Sequence, residues 1–396
     1  MARVTAATLI RAIDVTPLDI PLRAPFGISG GAPAVANNVL LTVELVDGTR
    51  GWGEAAPLPP YNGETQAAAL AALGTARTGL VGRDARAWRE LAGEFRARGG
   101  ARCGSAQCAI ETALLDALTR HDGVPLGKFF GGAGTELETD MTVTTGSVDA
   151  AAAAAREIAM RGIRTIKVKI GDRLGVAHDL ARVAAIREAV PGAPLILDGN
   201  AGLSRADASG FVRGLKARSI GPALLEQWLP KDDLAGMRAL GEESGWLVAA
   251  DESVSSAADA RRVVAAGAAG VINIKLMKAG VIEALEVVAV ARAAGLGLMI
   301  GGNVESILAM TVSACFAAGL GGFRFADLDT PLSVYLKLAN KPHSYLLESV
   351  HGGERFGRYS FVGLPASTRI EVRGTLIRIM DVAKIKEIEA ADPLAF

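Results

Sequence analysis

The chain has 396 residues, enough for two or more domains and a large apolar core. Lysine plus arginine and aspartate plus glutamate both number 42, so the charge balance gives no sign of a nucleic-acid partner. The longest uncharged stretch, residues 306–323, is broken by Ser, Thr and Gly, whereas a membrane span needs about 20 mainly apolar residues. Charges run through the apolar part of residues 1–17, which argues against a secretory signal. We therefore expect a cytoplasmic protein without a membrane partner.

The first 130 residues predict an α+β domain, because a run of strands is followed by a run of helices. The predicted strands are 9–13, 15–21 and 38–46, and Asp47-Gly48 is typical of a hairpin turn. Residues 65–121 favour helices. Ser105 is the predicted N-cap of a helix over 106–118.

The stretch 165–170 alternates lysine with apolar or β-branched residues, which is the pattern of a strand. Lys167 and Lys169 therefore project from the same face. Such a strand is often a solvated sheet edge. If it lines the inside of a barrel instead, two ammonium groups enter one small space, and carboxylates must lie nearby.

Carboxylates do follow, each at the end of a short apolar run. Asp198, Glu226 and Asp251 end three successive runs, and Lys275 ends a fourth. An aspartate in this position is often only a helix N-cap. The repetition, with a helix-forming stretch between runs, instead favours a parallel barrel whose chemistry collects at the carboxyl ends of its strands. The eight predicted strands are 139–144, 164–170, 194–198, 223–227, 247–251, 271–275, 297–301 and 322–327.

This series of lysines and carboxylates resembles the enolase superfamily, in its muconate-lactonizing subgroup. The stretches 274–280 and 301–306 are similar to dipeptide epimerases of the L-Ala-D/L-Glu epimerase type. The resemblance implies a (β/α)8 TIM-like barrel over residues 131–332 with an N-terminal α+β capping domain over 1–130. The mandelate-racemase subgroup places a histidine base on the seventh strand, and residues 298–303 contain none.

Three carboxylates at adjacent strand ends predict an all-oxygen metal site that suits Mg²⁺ or Mn²⁺ rather than zinc. The metal would stabilise the enediolate formed when an α-proton next to a carboxylate is removed. Lys169 and Lys275 come from opposite sides of the barrel and are the predicted bases, one for each face of the α-carbon. Nearby cations would favour their neutral amines. Lys167 would stabilise the substrate carboxylate or the enediolate.

Substrate contacts are expected from the capping loops and the last barrel strands. Arg23 is either a surface arginine or a clamp on a substrate carboxylate, and the loop 57–62 would also overhang the site. Asp327 and Asp329 are either capping acids or the partners of a dipeptide's α-ammonium group. The resemblance adds two further candidates for substrate contact, Lys278 and Glu305.

These residues predict an isomerase that epimerises a small dipeptide, and we expect this enzyme to be a homo-oligomer. The same residues also suit N-acyl amino acid racemase, or o-succinylbenzoate synthase, whose syn elimination needs only one of the lysines. An α-ammonium partner at the eighth strand favours the dipeptide, because neither alternative substrate carries an ammonium group there.

Residues 333–396 are a different segment. The stretches 344–350 and 352–361 resemble the opening of the large subunit of anthranilate synthase, whose Leu-Leu-Glu-Ser motif belongs to a tryptophan site. Only that opening occurs in this sequence, so we expect no anthranilate synthase activity. Two alternatives to an active enzyme follow from this segment. The protein could be a tryptophan-binding regulator, or a fusion whose barrel has lost activity. The alternation in 360–362 and 369–372 predicts strands.

Overall fold

The computed structural model describes residues 6–22, 34–100 and 103–330, together with the backbone of five strands between 345 and 389. The chain divides into two compact units, Met1–Pro331 and Leu332–Phe396. Each unit is described by itself. None of the helices in the described part of the chain is long and apolar enough to cross a membrane.

The first unit opens with a three-stranded antiparallel sheet in the order β1-β2-β3. Its strands are β1 Ile10–Pro21, β2 Val35–Leu45 and β3 Arg50–Ala55. Six helices follow: α1 Pro59–Asn62, α2 Gln66–Gly74, α3 Ala76–Leu80, α4 Trp88–Ala97, α5 Gly104–His121 and α6 Leu126–Phe129. The predicted order of strands before helices is confirmed, and so is the turn at Asp47, whose carboxylate accepts from the Thr49 amide.

Helix α5 lies directly on β3, and two glycines permit this approach. A Cβ on Gly51 would lie 2.2 Å from the backbone nitrogen of Ala117. A Cβ on Gly53 would lie 2.0 Å from the carbonyl oxygen of Ala109. Any side chain there would push the helix off the sheet, because real Cβ contacts are never so short.

Two details of the predicted capping domain are wrong. The stretches 9–13 and 15–21 form the single strand β1, because Asp14 lies on the exposed face, opposite Thr42, and does not interrupt the pairing. Ser105 is not the N-cap of α5, since the helix already begins at Gly104 and Ser105 lies within its first turn. Glu64 binds the first helical amides instead, accepting from Gly104 N at 2.7 Å and Ser105 N at 3.2 Å.

The rest of the first unit is an eight-stranded parallel barrel in which each strand pairs with the next. The strands are β4 Met141–Val143, β5 Ile166–Lys169, β6 Leu195–Asp198, β7 Leu224–Glu226, β8 Val248–Ala250, β9 Val271–Ile274, β10 Gly297–Gly301 and β11 Phe323–Asp327. All eight lie within the predicted ranges. The first and last strands meet where Asp140 N donates to Ala326 O at 2.9 Å.

A helix follows each of the first seven barrel strands. These are α7 Val148–Met160, α8 Val176–Ala189, α9 Arg205–Ala217, α10 Leu234–Ser244, α11 Ala257–Ala266, α12 Gly280–Ala293 and α13 Ile307–Leu320. Short polar side chains cap several of them at the carboxyl ends of the strands. Ser147, Ser204, Asp233, Ser256 and Ser306 each accept a hydrogen bond from an amide of the helix that follows. These caps end the loops of the barrel's functional face.

The barrel interior is layered because side chains alternate along each strand. An apolar layer is formed by Ile196, Leu224, Ala249, Val271 and Met299, all fully or almost fully buried. Two residues further along β6 and β7, the same inward face carries charged side chains. This alternation places Asp198 and Glu226 above an apolar floor.

The second unit contains two small antiparallel sheets. Strands β12 Tyr345–Leu347 and β13 Phe361–Gly363 pair with each other. Strands β14 Thr368–Arg373, β15 Leu376–Asp381 and β16 Lys384–Glu389 form a meander. The two strands predicted at 360–362 and 369–372 are therefore confirmed to within a residue or two.

Candidate active site at the carboxyl end of the barrel

The predicted lysines and carboxylates converge at the carboxyl ends of the barrel strands. Strands β5, β6 and β7 are in register, so Lys169 lies beside Asp198, and Asp198 beside Glu226. Asp251 follows β8, and Lys275 follows β9. All five side chains are buried, with exposed fractions of 7% or less.

Lys167 lies at the centre of this cluster. Its ammonium group is 2.9 Å from Asp198, 2.8 Å from Glu226 and 2.6 Å from Asp327. Burial disfavours its charge, but the three carboxylates outweigh burial and raise the pKa of Lys167 well above its usual value. Lys167 therefore stays a cation and holds three strand ends together.

Lys169 occupies one side of the cluster. Its ammonium nitrogen donates to Asp198 Oδ2 at 2.5 Å and to Asn200 Oδ1 at 3.0 Å. Asn200 Nδ2 in turn donates to Glu252 Oε1 at 3.3 Å. The backbone N–H of Asn200 donates to Asp198 Oδ1 at 2.9 Å. The turn after β6 thus orients both Asp198 and Lys169.

Lys275 occupies the opposite side. Its ammonium nitrogen is 2.8 Å from Asp251 Oδ2 and 4.5 Å from the centre of the Tyr61 ring, a cation–π contact. Burial opposes the charge, but Asp251 outweighs burial and raises the pKa of Lys275. A Cβ on Gly301 would lie 3.2 Å from Lys275 Cε and 2.8 Å from Asn273 Oδ1, so glycine leaves the space that this lysine needs.

Lys278 has a supporting position. Its ammonium group donates to the carbonyl oxygens of Asp251, Val254 and Asn273 at 2.6–2.9 Å and lies 2.8 Å from Asp251 Oδ1. These acceptors use all three of its hydrogens. The geometry therefore indicates that Lys278 holds the Asp251 loop in place, and it does not favour the substrate contact predicted for this residue.

The capping domain reaches into this site, as predicted for the loop 57–62. Tyr61 Oη donates to Asp251 Oδ1 at 3.1 Å. A second connection joins the buried Glu54 on β3 to the start of α13, where it accepts from Ser306 N at 2.9 Å. Asn38 on β2 bridges Glu54 Oε1 and the Val304 carbonyl at 2.7 and 2.9 Å. The cap and the barrel therefore share the walls of one site.

The predicted substrate contacts take up different positions. Asp327 is bonded to Lys167 and keeps a side-chain exposure of 12%. Asp329 Oδ2 accepts from Thr142 N at 2.7 Å, and burial together with Asp327 raises the pKa of Asp329 to about 6. Glu305 is buried, its Oε1 accepts from Asn303 N at 2.7 Å, and burial raises its pKa to about 8. Arg23 lies outside the described residues.

The carboxylates repel one another, which is the condition that a divalent cation relieves. Burial and the charge of Asp198 raise the pKa of Glu226 to about 7. Burial and the charge of Asp251 raise the pKa of Glu252 to about 8, and Glu252 Oε2 is buried with no hydrogen-bond partner among the described residues. Asp198 and Asp251 escape this effect because lysines outweigh burial and lower their pKa values.

The donor set fits Mg²⁺ chemically, since it offers carboxylate oxygens and no thiol or imidazole. Among the described residues no three acidic, histidine or cysteine side chains are already grouped as a metal site. Lysine ammonium groups lie between the carboxylates, and Lys167 bridges three of them. Cation binding at Asp198, Glu226 and Asp251 would therefore require these ion pairs to rearrange.

Sequence reasoning missed three groups of this site. Asn200 follows Asp198 by two residues, Glu252 follows Asp251 directly, and Gln227 follows Glu226 directly. Gln227 is fully buried and its Oε1 accepts from Asp251 N at 2.9 Å. Their position in the sequence could have identified them, because each polar residue lies one or two residues after a predicted acidic strand end.

A capped parallel barrel with lysines facing carboxylates at successive strand ends defines an acid–base enzyme of the enolase type. The comparisons with known proteins agree. Residues 10–131 match the mandelate racemase/muconate lactonizing enzyme N-terminal domain, and residues 149–345 match the enolase C-terminal domain-like family. The chain belongs to the mandelate racemase/muconate lactonizing enzyme family of the enolase superfamily. The second match includes Asp327 and Asp329 and extends past the predicted barrel boundary at 332.

Three relatives are particularly informative. The aromatic dipeptide epimerase of Herpetosiphon aurantiacus is 53% identical over 327 residues, which cover 83% of this chain and 91% of the relative. The dipeptide epimerase of Enterococcus faecalis, solved with Mg and L-Leu-L-Tyr, is 30% identical, with a TM-score of 0.78 and coverage of 83% and 91%. The substrate-liganded L-Ala-D/L-Glu epimerase of Bacillus subtilis is 30% identical, with a TM-score of 0.81 and coverage of 90% and 96%.

Proposed function

We propose that this protein is a dipeptide epimerase, an isomerase that inverts the α-carbon of a dipeptide's C-terminal residue with Mg²⁺ as cofactor. The observation that carries the proposal is the placement of Lys169 and Lys275 on opposite sides of one carboxylate cluster. Relatives named dipeptide epimerases, with identities up to 53%, support the substrate class.

The chain's own residues divide the chemistry between them. Lys169 and Lys275 face the α-carbon from opposite sides, so one removes its proton and the other delivers a proton to the far face. Lys167, held as a cation by its carboxylates, stabilises the negative charge that develops on the substrate carboxylate. Asp198, Glu226 and Asp251 would hold Mg²⁺, which would supply Lewis-acid stabilisation of that charge when bound.

A lysine base must be neutral to accept a proton, and the ion pair with Asp251 holds Lys275 protonated. Occupation of Asp251 by a cation would remove that partner and lower the pKa of Lys275. Lys169 likewise shares its carboxylate partner, Asp198, with the predicted cation site. Cofactor and bases are thus linked through shared carboxylates, and we propose that loading the site frees both amines.

The α-ammonium of the dipeptide would be bound by Asp327 and Asp329 at the end of β11. Asp327 is suited to this because it is more exposed than Asp198 or Glu226. Arg23 and Glu305 complete the predicted substrate contacts, whereas Lys278 would act on the substrate indirectly, by holding the Asp251 loop. We also propose the domain organisation 1–130, 131–332 and 333–396, with the last segment as an appended module.

The test is deuterium uptake at the α-carbon, followed by NMR in D₂O with Mg²⁺ and a panel of L,L-dipeptides. The panel should contain aromatic dipeptides as well as L-Ala-L-Glu, because the 53% identical relative is named for aromatic dipeptides. Uptake with appearance of the L,D-epimer supports the proposal. Activity confined to N-acyl amino acids or to a succinylbenzoate precursor would favour the alternative reactions.

A further inference from the structure

Within the described part of the chain, each base lysine contacts one charged and one uncharged group. Lys169 pairs with Asp198 and also donates to the amide oxygen of Asn200 at 3.0 Å. Lys275 pairs with Asp251 and also lies 4.5 Å from the centre of the Tyr61 ring. The carboxylates are the predicted cation ligands, so among the described residues these uncharged partners would remain as lysine contacts when a cation is bound.

We infer that Asn200 and Tyr61 are the positioning residues of the two bases, one for each face of the substrate. This inference rests on the proposed function. Each residue would fix the direction in which one amine points, without contacting the substrate. Asn200 therefore serves the face of Lys169, and Tyr61 serves the face of Lys275.

Asn200 is built to hold its side chain in one orientation. Its backbone has φ +41°, in the left-handed region, and Ala201 follows with φ +58°. Such conformations are uncommon outside glycine and persist where the surroundings impose them. Its amide nitrogen donates to Glu252 Oε1, which leaves the amide oxygen directed at Lys169. The chain Glu252–Asn200–Lys169 thus crosses from the end of β8 to the end of β5.

Tyr61 is held by a different set of contacts. Its hydroxyl donates to Asp251 Oδ1, and its ring lies against the Lys275 ammonium group. The cation–π attraction depends on the ring and not on the hydroxyl. The base on this face is therefore oriented by the capping domain, whereas Lys169 is oriented by the barrel itself.

The experiment compares the two epimers of one dipeptide as separate starting materials. Initial rates of α-deuterium uptake are measured for the unmodified protein, Asn200→Gly and Tyr61→Leu. Glycine removes the Asn200 side chain while tolerating the positive φ. We expect Asn200→Gly to slow uptake about tenfold or more for one epimer and less than about twofold for the other, because a displaced base loses its reactive geometry. Tyr61→Leu should show the opposite preference.

Two controls separate positioning from general damage. Tyr61→Phe removes the hydroxyl and keeps the ring, so the ratio of the two uptake rates should stay near that of the unmodified protein. Asn38→Ala removes a buried amide that bridges Glu54 and Val304. Any loss in that variant should be equal for the two epimers. Equal losses for both epimers in Asn200→Gly and Tyr61→Leu would overturn the inference.

Crystal structures of the same two variants give a readout that needs no activity. Lys169 Nζ should be displaced or spread over several positions in Asn200→Gly, with Lys275 unchanged, and the reverse should hold in Tyr61→Leu. Lysines that keep their positions in both variants would overturn the inference. Absence of uptake by the unmodified protein with every dipeptide would instead contradict the proposed function, and the crystal structures would still decide the positioning roles.

Discussion

The two ends of the barrel interior contrast sharply in what they bury. Ile196, Leu224, Ala249, Val271 and Met299 form an apolar layer with no polar side chain among its members. Two residues further along β6 and β7, the same inward face buries Asp198 and Glu226 against lysines. The apolar end gains stability from burial, whereas the charged end carries a desolvation cost that ion pairs must offset. Stability and chemistry are therefore assigned to different layers of one barrel.

The largest expected effect is at the charged end. Asp198→Asn or Glu226→Gln should lower Mg²⁺-dependent turnover about 10³-fold or more, since several kcal/mol of transition-state stabilisation are lost. Far-UV circular dichroism should remain unchanged. Glu242→Gln is the matched control, because this carboxylate is exposed and pairs with Arg238 on the outer surface of the same helix. Full turnover of Asp198→Asn in excess chelator would rule out the metal-dependent account.

The apolar end should respond in the opposite way. Leu224 is fully buried, so Leu224→Ala should lower the free energy of unfolding by about 3–5 kcal/mol. The folded fraction should keep its kcat within a few-fold, because Glu226, the next inward-facing residue on the same strand, is unchanged. Urea denaturation and active-site titration measure the two quantities separately. A large loss of kcat without loss of stability would show that the two layers are not independent.

A smaller effect is expected at the end of β11, where substrate recognition is proposed. Asp327→Asn should weaken kcat/KM for a dipeptide by at least about 2 kcal/mol, because a buried ammonium group loses its partner. An N-acyl analogue lacks that ammonium and should be affected far less. Asp329→Asn should show the same preference. If N-succinyl amino acids are the better substrates of the unmodified protein, the dipeptide assignment is wrong.

The smallest predicted effect is a pH-dependent shift in melting temperature. Glu226 has its pKa raised from 4.5 to about 7, so the folded protein binds its proton more tightly than the unfolded chain does. In chelator, its contribution to stability should fall as pH rises from about 5 to 8. Mg²⁺ requires the ionised carboxylate, so the melting temperature gained from a fixed Mg²⁺ concentration should be larger at pH 8 than at pH 6. Differential scanning calorimetry at both values measures this, and an equal gain would contradict it.

Much of this contrast was readable from the sequence. Alternation along 165–170 and the regular spacing of Asp198, Glu226 and Asp251 predicted the barrel and its charged face, since strand period and strand-end position are local properties. The continuity of β1 and the capping of α5 by Glu64 were not predicted. Both depend on partners distant in the sequence or on which face is exposed, and local patterns do not record either.

The site was predicted less completely than the fold. Lys278 resembles a substrate ligand in sequence, yet its ammonium group is occupied by three carbonyl oxygens that only the folded loops bring together. Asn200 and Tyr61 have no spacing that marks them. Their roles depend on contacts with Lys169 and Lys275 across different strands and domains. The resemblance of 344–361 to anthranilate synthase stays a prediction.

The central claim is that two lysines work on opposite faces of one α-carbon. Its most direct test is α-deuterium uptake from each dipeptide epimer in Lys169→Ala and in Lys275→Ala. The account predicts that each variant loses inversion but still exchanges the proton of one epimer, and that the surviving epimer differs between the two variants. Equal loss of exchange from both epimers in both variants would contradict it.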